Sequence, residues 1–378
     1  MFLPVVKPIV VTALRIASVV LFILTLFAAF GGRFSPHYFS VPAVAVMIFP
    51  YLAIITAVVT LMWFFSGRWI TGSLGVATLI LAWAPLSAAI PLKFSRNPKA
   101  GADTFTLLSW NFLHGRDQNV DSLKQVGNKS FDFILDSKAD IVCLQELAWY
   151  PDEVINMTPE FQARVDKAYP YRAFQPKHDN WVFSKYPISN IPVMDMLKRR
   201  IPGAELEGFS DITHYSFYKV AMPGHDLLLV NVHLISPGLT NHERDVVRDI
   251  KSMNSAKASA SEMKNTILGK IKRSLINHDK EITLLCRALE GYEGPLIVCG
   301  DFNDVPESWG WRIMTKNGFH DAYQETGFGP LVTYNRHAFW LHLDQIFYRG
   351  PLRALDVSKS RIRTSDHYPL KATFQFDN

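Results

Sequence analysis

Seven Lys or Arg and not one Asp or Glu occur in the first 100 residues, and three long apolar runs lie within them. These runs, residues 9–30, 41–65 and 69–90, are separated only by short breaks containing Gly, Pro or Arg. A helix needs roughly 20 predominantly apolar residues to cross the ~30 Å hydrocarbon core of a bilayer, and each run reaches that length. The pattern predicts a membrane anchor of three transmembrane helices over residues 1–93. A cleaved signal peptide is the rival reading of the first run. Three successive runs without a small-residue cleavage motif favour an anchor. Arg15 sits near one end of the first run, where its long stem lets the guanidinium reach the interface. Neither paired charges nor broken-helix signals stand out, which argues for a tether rather than a transporter.

Loop charges leave the orientation open. With the N-terminus inside, Lys7, Arg15 and Arg68 face the cytoplasm, and Arg33, Lys93, Arg96 and Lys99 face the other side. The positive-inside rule then favours the reverse by a single charge, so the large domain is either cytoplasmic or extracytoplasmic. Beyond residue 100 the chain carries 32 basic and 34 acidic residues, so the overall charge of +5 belongs to the anchor. Such a balance lacks the broad electrostatic footprint of a strong DNA binder. Cys143, Cys286 and Cys299 fall in apolar or helical patterns and form neither a disulfide framework nor a metal-ligand spacing.

Residues 94–103 read as a polar linker, and a different texture follows over 104–378. Short β-rich runs, among them "TFTLLSWN", "DIVCLQE", "DLLLVNVHL", "PLIVCGD" and "HYPLKATFQF", alternate with helical spacing over 121–138, 256–289 and 306–317. This predicts an α/β domain of two packed sheets with helices outside.

The stretch "LIVCGDFNDVP" ends an apolar run on a glycine and then offers Asp301, Asn303 and Asp304. Taken alone it is a polar turn. Other strand ends repeat the feature, however. Asn111 follows "LLSW", Gln145 and Glu146 end "IVCLQE", and Asn231 and His233 share one face of "LLLVNVHL". Asp344 lies in "HLDQIFY", and Asp366 and His367 in "RTSDHYPL". Six segments that each end in carboxylate, amide or imidazole groups are poorly explained by structure alone, because buried polar groups need partners. Carboxylate and amide oxygens without a His/Cys cluster suit a hard cation, Mg²⁺ or Mn²⁺, rather than zinc. With histidines to contact phosphoryl oxygens and a carboxylate to orient water, the set points to metal-assisted phosphate-ester hydrolysis.

In order, "WN", "LQE", "NVHL", "GDFND", "LDQIF" and "SDHYP" resemble the motifs of the endonuclease/exonuclease/phosphatase superfamily, which includes DNase I-like enzymes and neutral sphingomyelinases. The resemblance runs from Thr104 to Phe376. It implies a four-layer α/β sandwich of two mixed sheets flanked by helices, with the site at one sheet edge. It also implies residue roles. Glu146 is expected as the principal metal ligand, with Asn111 beside it and Asp366 close to the metal. Asp301 is expected to orient or deprotonate the attacking water, and Asn303, pointing the same way, to bind the phosphate. His367 is expected to contact the scissile phosphate with Asp344 holding its ring, and His233 to act as the second phosphate-binding histidine, supported by Asn231. Tyr171 and Arg172 border the cleft in such proteins, but core packing is the reading preferred here. His342 departs from the pattern, standing where an Arg is usual.

The expected function is that of a membrane-anchored, divalent-metal-dependent phosphoesterase acting on a phosphodiester or phosphomonoester, with a lipid head group as a candidate substrate. A membrane-tethered endonuclease or exonuclease acting on DNA or RNA is the enzyme alternative, and a binding scaffold that keeps the fold is the non-enzyme one. The expected partners are the membrane, through the N-terminal helices, and the phosphate-ester substrate, with no protein partner evident from the sequence.

Overall fold

The computed structural model describes residues 3–113, 129–147, 159–175, 179–203, 214–238, 257–336 and 339–377. Its first helix runs from Leu3 to Ala29. A second apolar segment spans Ser40–Phe65 with a 3-10 turn at Val46–Ile48. That turn falls four residues before Pro50, which has no N–H for the Val46 carbonyl and whose ring crowds it. These two segments are long and apolar enough to cross a membrane. The third expected span is not one straight helix. It consists of Trp69–Leu81 and Trp83–Ala89, bent by 66°. Pro85 cannot donate to Leu81, so the ladder breaks at Ala82, and the sequence signal for the break was that proline. Within the bundle, Thr25 and Thr56 hydroxyls pair at 2.8 Å, and the Trp63 indole donates to Ser18 at 2.9 Å.

Residues 94–103 differ from the free linker that their polarity suggests. The Lys93 N–H donates to the Gly327 carbonyl, Arg96 N–H to that of Leu355 and Lys99 N–H to the Gln375 side chain. Phe94 stacks on Phe328 with ring centroids 5.1 Å apart. The segment is a strap bound along the domain, because its backbone donors find acceptors there.

The strands, in chain order, are β1 (Thr104–Asn111), β2 (Ile141–Gln145), β3 (Tyr171–Phe174), β4 (Trp181–Ser184), β5 (Ile188–Ile191), β6 (Tyr215–Met222) and β7 (His225–His233). They continue with β8 (Leu296–Asp301), β9 (His320–Asp321), β10 (Tyr334–Arg336), β11 (Phe339–Leu341), β12 (Asp344–Arg349), β13 (Leu352–Lys359) and β14 (Leu370–Phe376). One six-stranded sheet has the order β13-β14-β1-β2-β4-β3 and the other β5-β6-β7-β8-β12-β9, with β10 and β11 forming a separate hairpin. Both sheets are mixed, since β1–β2 and β7–β8 are parallel and their other pairs antiparallel.

Three apolar layers hold the sheets and helices together. Between the sheets, Leu107, Cys143 and Phe374 of the first meet Tyr218, Leu229 and Ile346 of the second. Outside the first sheet, Trp110 and Val142 pack on Phe131 and Ile134 of helix Lys129–Ser137 and Val165 of helix Pro159–Ala168. Outside the second, Val230 and Val298 pack on Leu197, Ile282 and Met314 from helices Val193–Lys198, Lys257–Ala288 and Trp309–Lys316. This is the expected four-layer α/β sandwich. All three cysteines are buried and unpaired. Tyr171 is not a core residue. It lies 41% exposed on edge strand β3, where Arg172 pairs with Asp166.

Register decides where the polar strand ends meet. Asn111 stands opposite Gln145 across β1–β2, His233 opposite Asp301 across β7–β8, and Asp301 opposite Asp344 across β8–β12. Parallel pairs end together, so these residues gather at one edge of the sandwich.

Candidate active site

Strand β8 reaches this edge through Gly300, whose φ is +141°. A Cβ there would lie 1.9 Å from the Val232 carbonyl oxygen, so only glycine lets β7 approach this closely. Asp301 follows and is almost fully buried. Its Oδ1 accepts from the Asn303 N–H at 2.8 Å, and its Oδ2 accepts from Asn111 Nδ2 at 3.0 Å. The same Nδ2 donates to Glu146 Oε1 at 2.9 Å, so one amide joins the two carboxylates. Glu146 and Asn303 hold φ of 53° and 47°, left-handed values that cost energy in residues with a Cβ and that cluster here at the site.

His367 lies between two carboxylates. Its Nδ1 is 2.7 Å from Asp344 Oδ2, and its Nε2 is 3.5 Å from Asp301 Oδ2. Burial alone pushes the imidazole pKa down, but Asp344 and Asp301 outweigh it and hold the group up at about 10. His367 is therefore an imidazolium at neutral pH. Burial pushes Asp301 up to about 6, against the pull of His367. A carboxylate there is ionised near neutrality yet more basic than usual. Trp110 Nε1 donates to the His367 carbonyl at 2.9 Å, and the Tyr334 ring lies 5.0 Å from the imidazole.

On the other side of the carboxylates, His233 Nδ1 is 2.8 Å from Asp179 Oδ2, and its Nε2 is 3.6 Å from Glu146 Oε1. Burial lowers its pKa, but the Asp179 bond and charge dominate and raise it to about 9. Two imidazolium rings thus flank the carboxylates, an arrangement suited to a dianionic or monoanionic phosphate.

The structure brings Asn111, Glu146, His233, Asp301, Asp344 and His367 together. Three other expected residues sit differently. Asn231 is fully buried between the sheets. Its Nδ2 donates to the Leu144 and Trp181 carbonyls, and its Oδ1 accepts from Gln145. All its bonds are internal, because it lies two residues deeper than His233 along the strand. Asn303 does not continue the strand from Asp301, since its left-handed φ turns the chain and its Nδ2 donates to the Leu234 carbonyl at 2.9 Å. Asp366 pairs with Arg336 of β10 at 3.2 Å. Asp179, Tyr334 and Ser365, whose hydroxyl donates to the Asn111 carbonyl, support the site without having stood out in the sequence. Asp179 stands in the middle of the polar "HDN" before a strand, the kind of signal that marks the other site residues.

A divalent cation fits the donor set. Asp301 and Asp344 offer carboxylate oxygens within 4.8 Å of one another, and Asp344 Oδ1 is buried without a hydrogen-bond partner. Glu146 Oε1 shares the Asn111 amide with Asp301, whereas His367, as an imidazolium, donates and does not ligate. Oxygen donors of this kind suit a hard cation. Asn111 presents Nδ2 to both carboxylates while its Oδ1 accepts from Leu113 N–H at 3.2 Å. Holding a cation through Oδ1 therefore requires the amide to turn over.

A two-sheet α/β sandwich with paired imidazoles and carboxylates at one edge defines a phosphate-ester hydrolase class. The chain belongs to the endonuclease/exonuclease/phosphatase family, whose model matches residues 108–367. No curated protein matches the sequence. Among solved structures, the chain is similar to an endonuclease/exonuclease/phosphatase from Beutenbergia cavernae, at 14% identity and a TM-score of 0.46, covering 73% of this chain and 72% of that one. It is also similar to the human nocturnin catalytic domain with bound sulfate, at 19% identity and TM-score 0.42, covering 74% of this chain and 100% of that one. A family protein from Bacteroides thetaiotaomicron shows 14% identity and TM-score 0.39, with 73% and 99% covered.

Proposed function

We propose that the protein is a membrane-anchored, divalent-metal-dependent phosphoesterase. The observation that carries this reading is the Asp344–His367–Asp301 chain, joined through Asn111 to Glu146. Asp301, raised to about 6, accepts the proton of the attacking water. His367, kept positive by Asp344, binds the phosphoryl oxygens and stabilises charge as the bond to phosphorus forms. His233, steadied by Asp179, contacts the phosphate from the other side. Glu146, and Asn111 once its amide turns over, would hold a cation, which would supply further neutralisation of the phosphate charge. Two or three apolar helices, long and apolar enough to cross a membrane, support the anchored part of this reading.

The test is Mg²⁺-dependent hydrolysis of bis(p-nitrophenyl) phosphate by the full chain in detergent, compared with Glu146→Gln. The wild type is expected to turn over, and the variant to collapse or to need far more Mg²⁺. An unchanged rate and metal response in the variant, or no metal-dependent hydrolysis by the wild type, overturns the reading.

A further inference from the structure

The turn between the first two apolar segments does more than connect them. Gly32 packs against the loop that follows the catalytic strand, and a Cβ there would lie 1.8 Å from the Glu307 carbonyl oxygen. Glu307 stands six residues after Asp301. Val46, only 1% exposed, is buried in a cluster with Val305, Tyr334 and Leu343. The Tyr51 hydroxyl donates to the Trp340 carbonyl of the β10–β11 hairpin. Tyr334 of that hairpin lies against the His367 ring. One side chain therefore separates the anchor from the imidazole.

Depth follows from helix geometry. The second segment ends at Phe65, followed by the Ser66-Gly67-Arg68 turn. Counting back about 30 Å at ~1.5 Å per residue from Phe65 reaches Val46, so Val46 stands near the opposite boundary of the hydrocarbon. His367, one side chain beyond it, then lies at head-group depth. Exposed aromatics flank this boundary on both sides. Tyr38 (78% exposed) and Phe39 (57%) precede the second segment, and Trp340 (55%) projects from the hairpin that Tyr51 holds. Aromatic rings of this kind favour the membrane–water interface.

We propose that residues 31–51 form a fixed wall behind the catalytic edge, outside the site itself, that holds this edge at the bilayer surface, and that the phosphate ester it takes is the head group of a lipid in that same bilayer. This rests on the phosphoesterase reading and names its substrate class. A nucleic acid would have to enter between the domain and the membrane, against a domain whose charge offers it no attraction. The wall residues are positioning residues: they act through Val305, Tyr334 and Glu307 and touch no reacting atom.

Two measurements on the full chain in vesicles of phosphatidylcholine, phosphatidylglycerol, phosphatidylinositol and sphingomyelin test this. First, Trp340→Cys carries a nitroxide, the native cysteines being buried. Collision with oxygen and protection from a water-soluble nickel complex are expected there. The same label at Lys185→Cys, at the far end of the sheet, is expected to be open to water. Second, Gly32→Leu forces the wall away from Glu307. Turnover of vesicle lipid is expected to fall about tenfold or more, with hydrolysis of soluble bis(p-nitrophenyl) phosphate kept within about threefold. A water-exposed label at position 340 overturns the proposal. So does equal loss on both substrates, or cleavage of DNA or RNA with every vesicle lipid untouched. If the wild type fails on bis(p-nitrophenyl) phosphate, the phosphoesterase reading falls, and the label depth still decides whether the wall faces the bilayer.

Discussion

Gln145 of one sheet donates its amide to Oδ1 of Asn231 in the other at 2.7 Å, and Asn231 returns Nδ2 to the Leu144 and Trp181 carbonyls of the first. The two sheets are thus pinned together directly beneath the candidate site. Asn231→Leu leaves these buried groups without partners, at roughly 1–3 kcal/mol each. Thermal unfolding in detergent is expected to show a loss of about 3 kcal/mol, while turnover per folded molecule stays within about threefold. A variant that melts normally and turns over a hundredfold more slowly would return Asn231 to the chemistry.

His367 owes its positive charge to Asp344, the closer of its two carboxylates. Asp344→Asn keeps the shape and can keep one hydrogen bond, but it removes the charge that opposes burial. Turnover of bis(p-nitrophenyl) phosphate is expected to drop ~10²–10⁴-fold, the usual scale for a displaced acid–base group, with KM changing far less. Steady-state kinetics on the full chain separates the two parameters. Wild-type kcat in this variant would mean that Tyr334 and the backbone suffice to hold the ring.

Much of this arrangement is legible in the sequence, and the remainder has a physical reason to be hidden. Alternation along "LLLVNVHL" gives Asn231 and His233 one face, and the apolar runs mark each strand that ends at the site. Periodicity gives the direction of a side chain but not what packs over it. Asn231 and His233 point alike, yet the first meets the other sheet and the second meets Asp179. Asn303 escapes strand logic because its φ is positive, which residue type alone does not announce. Asp366 finds Arg336 only through the pairing of Tyr334 with His367, a long-range contact without a local signal. Pro85 was a readable helix breaker, masked by the apolarity around it.

His278 makes stability depend on pH. It lies buried on helix Lys257–Ala288, where its Nε2–H donates to the Ile235 carbonyl at 2.9 Å and its Nδ1 has no hydrogen-bond partner. Burial, outweighing the Ile235 bond and helped by His214, pushes its pKa from 6.5 down to about 4. The unfolded chain then takes up a proton below pH 6.5 that the folded chain refuses until about pH 4. Stability is lost as pH falls through that window, on the order of 3 kcal/mol in all. His278→Gln can keep a donor and does not titrate. Melting curves from pH 7.5 to 4.5 are expected to be flatter for the variant by most of that amount. Parallel curves would show that His278 titrates normally.

The strap over residues 91–99 offers the sharpest contrast between composition and structure. Its polar sequence describes an open linker, and Lys93, Arg96 and Lys99 give trypsin three cleavage sites within it. The Lys99 side chain is well exposed, so access to the charged tip is not what would limit cleavage. The backbone is held instead. Gly329 N–H donates to Pro91, Lys93 N–H to Gly327 and Arg96 N–H to Leu355, at 2.7, 2.9 and 2.7 Å. The Arg96 guanidinium also meets Glu325 at 3.1 Å. Proteolysis needs several residues to leave such a seat together, so cleavage follows the population of the opened strap. Full-length protein in detergent is expected to resist trypsin here, and the Lys93 and Arg96 amides to exchange at least ~10²-fold more slowly than in a free chain. Glu325→Ala removes the Arg96 ion pair but leaves that of Lys99 with Asp377, and is expected to speed cleavage only a few-fold, since exposed pairs are worth roughly 0.2–1 kcal/mol and the backbone bonds remain. Rapid cutting after Lys93 or Arg96 in the wild type, with free-chain exchange at those amides, would make this segment the flexible linker that its composition describes.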